Sequence, residues 1–248
     1  MNSKFVVLSD IHANLSALKA VIRDFKEKYK PDGIFLLGDM VNYGMRPNEV
    51  IQEMELLAEG YPIMCNLYGN HEKALVDSNQ LSRFSSDRGR SILEYTKQVL
   101  THDSFEYIRN EMDDGGRVEL ELNGRSILCL HGNIEDEYWG KLTVESMTDE
   151  RYARYDYVFS GHTHVPHHIE VFYKGGNEVL RGKKKTVFLN PGSVGQPRNQ
   201  NPCSQYLYWD MKANLFHHNS VVYDIETERR LYPDNIDVFY KDRLLKGI

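Results

Sequence analysis

The sequence lacks the features that would direct it outside the cell, into a membrane or onto duplex nucleic acid. Its 248 residues include three cysteines, Cys65, Cys129 and Cys203, an odd number with no CxxC spacing. Two of them lie inside apolar runs. Buried reduced thiols are therefore expected rather than a disulfide frame, which favours the cytoplasm. No apolar run approaches the roughly 20 residues that cross a bilayer, so no membrane contact is expected. The four apolar residues FVVL before Asp10 are too few for a signal-peptide core. No long basic stripe is present and the formal net charge is −6, which argues against general duplex nucleic-acid binding. The run Lys183-Lys184-Lys185 reads as a solvated turn between two strands. Repeats, low-complexity tracts and linkers are also missing. With 41% apolar and 27% charged residues, the chain has the composition of a soluble globular protein, and its length suits a single domain over residues 1–248.

What is present is an alternation of short apolar runs with helical patterns, the signature of βαβ units. KFVVLS (Lys4–Ser9) reads as a strand, followed by a helical face of Leu15, Leu18, Val21, Ile22, Phe25 and Tyr29. GIFLLG (Gly33–Gly38) is a second strand, Pro47 opens a second helix, and YPIMCN is a third strand. Residues 72–110 read as a mostly helical insertion placed to cover a site, with Asp103 and Glu106 as a capping box. RVELEL, Asn123-Gly124 and RSILCL form a hairpin with a type I′ turn. A helix is expected from about Thr143 to Arg154, then the strand DYVFSG (Asp156–Gly161). The remainder reads as strands and turns: VPHHIEVFY, a Gly175-Gly176 turn, KTVFLN, QYLYWDM and a strand pair near Phe216–Tyr223. The expectation is an α/β protein. The early strands form one sheet, the late strands form a second and more antiparallel one, and the two pack face to face with helices outside.

Polar residues recur where the strands end. Successive apolar runs deliver Asp10 and His12, Asp39, Asn70, His131, and His162 and His164 at or just past their C-terminal ends. In an open α/β sheet those ends share one edge, where ligands bind. If the runs share a sheet, seven side chains converge, offering carboxylate, amide and imidazole donors. Such a set suits Mn, Fe, Zn, Co or Ni. Seven donors exceed one tetrahedral ion with an open position and fit two ions sharing a carboxylate, roughly 3.5–4 Å apart, the clamp for in-line attack at phosphorus. A hydroxide bridging them is the natural nucleophile.

Asp10-x-His12, Gly38-Asp39, Gly69-Asn70-His71-Glu72, His131-Gly132 and Gly161-His162-Thr163-His164 occur in an order that resembles the calcineurin-like metallophosphoesterase superfamily. The likeness spans Asp10 to about Arg198. The resemblance implies a four-layer α/β/β/α sandwich of two packed mixed sheets flanked by helices. It also implies two divalent transition-metal ions, Mn being the first candidate. One ion would take Asp10, His12, Asp39 and His164; the other would take Asp39, Asn70, His131 and His162, with Asp39 bridging. His71 would be no ligand but would serve the leaving-group oxygen. Glu72 would either orient His71 or act as a first-turn helix residue.

NPGSVGQPR (Asn190–Arg198) and GDMVNYGMRPNEV (Gly38–Val50) resemble the small prokaryotic-type branch, which includes phosphodiesterases and enzymes like diadenosine tetraphosphatases. The Ser/Thr protein phosphatases continue Gly-Asp as GDxVDRG, with an arginine that grips phosphate; here Asn42 and Tyr43 stand in place of that Asp-Arg pair. Arg198 and Tyr43 are the candidate substrate contacts. A small phosphorylated or nucleotide-like substrate is expected, with protein phosphatase activity or a non-catalytic scaffold as alternatives, and homo-oligomerisation open. His167-His168 and His217-His218 read as surface residues.

Overall fold

The computed structural model describes residues 3–176, 179 and 181–248. Among these residues, ten strands form two five-stranded sheets. In the first, β1 (Lys4–Leu8), β2 (Gly33–Leu36) and β3 (Ile63–Asn66) are parallel, and β9 (Ser204–Asp210) and β10 (Leu215–Val221) extend it antiparallel in the order β10-β9-β1-β2-β3. In the second, β5 (Arg125–Leu130), β6 (Tyr157–Ser160) and β8 (Lys183–Asn190) are parallel. The strands β4 (Arg117–Leu122) and β7 (His167–Lys174) flank them in the order β4-β5-β6-β8-β7. The late strands therefore do not form a sheet of their own: β9 pairs antiparallel with β1 and completes the first sheet. The expected pair near Phe216–Tyr223 is one strand, β10, paired with β9.

The two sheets pack through their alternating side chains. Phe5 and Val7 of β1 face the second sheet and meet Cys129, Phe159, Leu189 and Trp209, while Val6 and Leu8 face the helices. On β5, Ile127 and Cys129 point inward, and Leu128 and Leu130 pack on Tyr152, Tyr155 and Met147 outside. Burial on both faces is why these strands read as continuous apolar runs, and each such side chain contributes about 1.5–3 kcal/mol. The helices α1 (Leu15–Lys28) and α2 (Pro47–Gly60) cover the first sheet, with α3 (Asn70–Val76), α4 (Asp87–Val99) and α5 (His102–Glu111) following β3. The chain closes with α6 (Ile225–Arg229) and α7 (Phe239–Lys246).

Three local expectations need correction. The α5 cap is Thr101, whose Oγ1 accepts the Ser104 N–H at 3.3 Å, not Asp103. The stretch from Thr143 to Arg154 forms two 3₁₀ turns, Ser146–Thr148 and Glu150–Arg154, not one helix. Side chains compete with the helical ladder there: Thr143 Oγ1 accepts from Ser146 N at 3.2 Å and Asp149 Oδ1 from Arg151 N at 2.9 Å, which restarts the chain in an extended step. Lys183-Lys184-Lys185 opens β8 instead of forming a turn, with Lys184 paired to Asp156 and Lys185 to Glu170. The Asn123-Gly124 turn has φ of 51° and 72°, as a type I′ turn needs. Among the described residues, no helix is long and apolar enough to cross a membrane.

Candidate metal centre

The strand ends meet across the seam between the sheets, not along one edge. Asp10 and His12 follow β1, Asp39 follows β2 and Asn70 follows β3 in the first sheet, whereas His131 follows β5 and His162 and His164 follow β6 in the second. Face-to-face packing aligns the C-terminal ends of both parallel sets, so the expected convergence occurs without a common sheet. Asp10, His12, Asp39, His162 and His164 all adopt left-handed backbone, with φ between 48° and 63°. The chain is folded back at each strand end to aim these side chains inward. The loop Asn190–Arg198 holds the first of these turns: Ser193 Oγ donates to the Asp10 carbonyl at 2.7 Å, and Gly195 N donates to the same carbonyl at 3.0 Å.

Two groups of donors result. Asp10, His12, Asp39 and His164 offer one atom each, all within 4.8 Å of one another, and so do Asp39, His131 and His162. In the first group, His12 Nε2 lies 3.2 Å from His164 Nε2, and His164 Nε2 lies 3.1 Å from Asp10 Oδ1. The Nδ1–H of His12 donates to the Val41 carbonyl at 3.2 Å and that of His164 to the Gln196 carbonyl at 2.6 Å. The two Nε2 atoms therefore face each other as lone pairs. Both Asp10 carboxylate oxygens are buried without a hydrogen-bond donor. Lone pairs turned on one another beside an orphaned carboxylate fit a cation, and donors about 2.0–2.2 Å from one ion stand roughly 3–3.5 Å apart.

In the second group, His131 Nε2 is 3.2 Å from Asn70 Oδ1 and 3.3 Å from Asp39 Oδ2. His162 enters through Nδ1, 3.0 Å from the same Asn70 oxygen. His131 Nδ1 donates to the Leu37 carbonyl at 2.7 Å. Asn70 brings a neutral oxygen and His162 is the only partly exposed donor of the seven.

Asp39 joins the groups through a single oxygen. Its Oδ2 lies 3.3 Å from His131 Nε2 and 3.6 Å from His12 Nε2, while Oδ1 accepts the His71 backbone N–H at 3.0 Å. Gly69 makes this approach feasible: a Cβ there would stand 2.0 Å from Asp39 Oδ1. Glu72 does not touch the His71 ring. Its buried carboxylate accepts the backbone N–H groups of Asp39 at 2.9 Å, Val41 at 3.0 Å and Gly69 at 2.8 Å, so it ties the β2 and β3 loops together from the first turn of α3. Burial and then the charge of Asp39 push Glu72 up to about 7.

The ring that Glu72 leaves free is oriented by Asn42. Asn42 Nδ2 donates to His71 Nδ1 at 2.6 Å, and Thr96 Oγ1 shares its one proton between Asn42 Oδ1 at 2.9 Å and the Ile92 carbonyl at 3.0 Å. That chain places the His71 proton on Nε2, which points into the centre, 3.8 Å from Asp39 Oδ2. Burial brings the His71 pKa down to about 4, against the opposing pull of Asp39. His71 is therefore a neutral N–H donor at pH 7. Burial likewise lowers His162 to about 3 and holds His12 and His164 well below their ordinary range. Burial also acts to lower His131, but the Asp39 carboxylate beside it outweighs this and raises it to about 9. Asp39 itself would rise on burial, yet the charges of His131 and His71 hold it well below the usual carboxylate range.

A cavity of about 380 Å³ opens over the donors. The helical stretch after β3 supplies Arg83, Phe84 and Arg88 to its wall, and Trp139 and Lys141 come from the loop after β5. Both expected substrate contacts, Tyr43 and Arg198, line it. So do three residues with no signal in any motif, Phe239, Tyr240 and Arg243 of α7. His167 and His218 are half-buried, not surface residues. His218 Nε2 donates to the Asn190 carbonyl at 2.8 Å, and burial lowers His167 to about 4. His168 and His217 are exposed, as the strand alternation requires.

The family model for the calcineurin-like phosphoesterase superfamily domain matches residues 4–214. An uncharacterised protein of Methanocaldococcus jannaschii is 30% identical over 256 residues, covering 100% of this chain and 99% of that one. A metallophosphoesterase crystal structure from Sphaerobacter thermophilus is similar with a TM-score of 0.72 at 25% identity, covering 99% of this chain and 100% of the other. A hypothetical protein from Pyrococcus horikoshii shares the fold with a TM-score of 0.83 at 19% identity, covering 99% and 98%.

Proposed function

The chain belongs to the calcineurin-like phosphoesterase superfamily, and on that premise we propose that it hydrolyses a phosphate ester or anhydride of a small nucleotide-like substrate with the help of two divalent metal ions. The observation that carries this is the first donor group, where two imidazole lone pairs and an orphaned carboxylate face one point in a buried seam. Asp10, His12, Asp39 and His164 would hold one ion; Asp39, Asn70, His131 and His162 would hold the other. When bound, such a pair activates water for in-line attack and polarises the phosphoryl oxygens. Manganese is our candidate metal, since carboxylate, amide and imidazole donors without thiolate suit it.

The chain's own residues supply the rest. His71 presents a neutral Nε2–H to the leaving-group oxygen, its tautomer held by Asn42 and Thr96. Glu72 keeps Asp39 and Asn70 in register by joining their loops. Phe84 and Trp139, edge to face at 5.1 Å, give the cavity an aromatic wall suited to a nucleobase.

The test is elemental measurement joined to a substrate screen. Protein supplemented with Mn is expected to carry two ions per chain and to turn over at least one of a phosphomonoester, a cyclic nucleotide or a dinucleoside polyphosphate. Fewer than one ion per chain would overturn the proposal. The charge state of His131 adds a pH dependence. Its pKa near 9 in the metal-free protein means that it carries a proton at pH 7. A ligand nitrogen must be deprotonated. Ion uptake should therefore release about one proton near neutral pH, and affinity should rise with pH until about 9. Calorimetry in buffers of different ionisation enthalpy reads this release, which would be absent if His131 were no ligand.

A further inference from the structure

The cavity over the donors holds more positive charge than its carboxylates answer. Arg88, Lys141, Arg198 and Arg243 line it, and Asp39 is the single carboxylate in its wall among the described residues. Arg83, also in the wall, is already paired with Asp136. Arg198 and Arg243 differ: among the described residues, neither forms an ion pair with an Asp or Glu side chain. The Nε of Arg198 is buried and has no hydrogen-bond partner.

The fold brings these two side chains, 45 residues apart in sequence, to the wall of one cavity. Arg198 follows the loop that orients His164, and its backbone N–H donates to the His164 carbonyl at 3.3 Å. Arg243 comes from α7, beyond the residues that the family model matches. The helix is docked by its C-terminus. Gly247, left-handed with φ of 62°, gives its carbonyl to Gln200 N at 2.8 Å, and a Cβ there would stand 2.6 Å from the Asn201 backbone. Glu228 of α6 anchors the same segment to α1 by accepting Ser16 N at 2.7 Å. Arg243 is only 8% exposed, and its guanidinium lies 5.0 Å from the Phe239 ring centroid and 5.8 Å from that of Tyr43. Its Nε donates to the Ile248 backbone oxygen at 2.6 Å. Burial and then the charge of Arg198 bring its pKa down to about 10. Arg198 in turn acts on Tyr43, His71 and His164. Both guanidiniums thus share a cavity wall with Asp39, His71 and His164.

Arg243 is buried and the half-buried Arg198 keeps a buried Nε without a partner, so a cavity wall that carries both favours an anion. A phosphomonoester dianion has three terminal oxygens, enough to reach the donor side and a guanidinium pair at once. A phosphodiester has one negative charge and two non-bridging oxygens, so it answers two guanidiniums less well. We propose that Arg198 and Arg243 form a guanidinium pair that binds the dianionic terminal phosphate of the substrate, so that the site selects phosphomonoester ends over diesters. This rests on the hydrolytic reading above and narrows it.

The experiment compares p-nitrophenyl phosphate with bis(p-nitrophenyl) phosphate on one preparation of the Mn-loaded full chain, with calorimetric binding of inorganic phosphate alongside. Wild type is expected to favour the monoester at least about tenfold in kcat/KM. A lost charge-assisted hydrogen bond corresponds to about a 10- to 100-fold effect, so Arg243→Gln should lower the monoester-to-diester ratio and the phosphate affinity by that order. The ratio does not depend on the folded fraction, because both esters meet the same molecules. A variant that lost both activities in proportion, or kept the wild-type ratio, would overturn the pair, and so would a wild type that preferred the diester. Phosphate binding that depends on Arg243 without turnover of either ester would leave the pair standing and sink the hydrolytic reading. Turnover that ignores Arg243→Gln would do the reverse.

Discussion

Asp39→Asn is expected to lower kcat/KM by at least about 10³-fold, since Lewis-acid stabilisation is worth several kcal/mol and each 1.4 kcal/mol is tenfold. Metal content should fall at both positions together. The reason is that one oxygen serves two groups: Asp39 Oδ2 faces both His131 and His12, while Oδ1 is engaged by the His71 N–H. An asparagine keeps the size, tolerates the left-handed backbone at φ of 54° and can still accept that N–H. What it removes is the charge. Elemental measurement after dialysis against Mn is the check. Loss of one ion with full retention of the other would show that Asp39 is not shared. By contrast, Asn70→Ala should weaken only the second position. That position is expected to be the weaker one from the start, because its donors other than Asp39 would be neutral when bound and His162 is partly exposed.

His71→Ala is expected to keep both ions and lower kcat by about 10²–10³-fold, the effect of removing one well-placed donor to developing charge. The loss should be larger on an alkyl ester than on p-nitrophenyl phosphate, because a stable phenolate needs less help to leave. Equal losses on both would argue against contact with the leaving group. The companion variant Asn42→Asp tests how the ring is poised. A carboxylate about as close as the present amide, 2.6 Å from Nδ1, favours the imidazolium. The His71 pKa should then rise from about 4. Wild type should show no His71 limb in its pH–rate profile above about pH 5, whereas the variant should gain a limb closer to neutrality. On the proposed role, the departure from Asp at this position would set whether His71 acts as a neutral donor or as a cation.

The donors were legible because each follows an apolar run, and a parallel strand has to end where its hydrogen-bonded neighbours do. Asp10, His12, Asp39, Asn70, His131, His162 and His164 needed only local pattern to be found. Their distribution over two sheets was not legible, because pairing is non-local: Lys4 opposes Asp210 across almost the whole chain. The two 3₁₀ turns after Thr143 were lost to the opposite cause, a local competition by Thr143 and Asp149 that hydrophobic periodicity does not register. Arg243 had no signal at all. It becomes part of the cavity only because Gly247 and Glu228 dock the last helices onto distant loops. Asn42 was visible as a departure from a motif, but its hold on His71 depends on Thr96, which arrives from α4.

The left-handed turns at the strand ends bear on how such a protein ages in evolution. Each non-glycine residue held there costs roughly 1–2 kcal/mol, offset only partly where the residue is Asp or Asn. Five of the seven donors stand in that conformation. At a site that is not fully buried, a lineage released from catalysis gains up to about 1 kcal/mol by exchange for glycine, after the added freedom of the unfolded chain is counted. His162, partly exposed and leaving little cavity behind, would be the first to go. If these donors hold metal, stability and activity pull against each other at the turns that carry them.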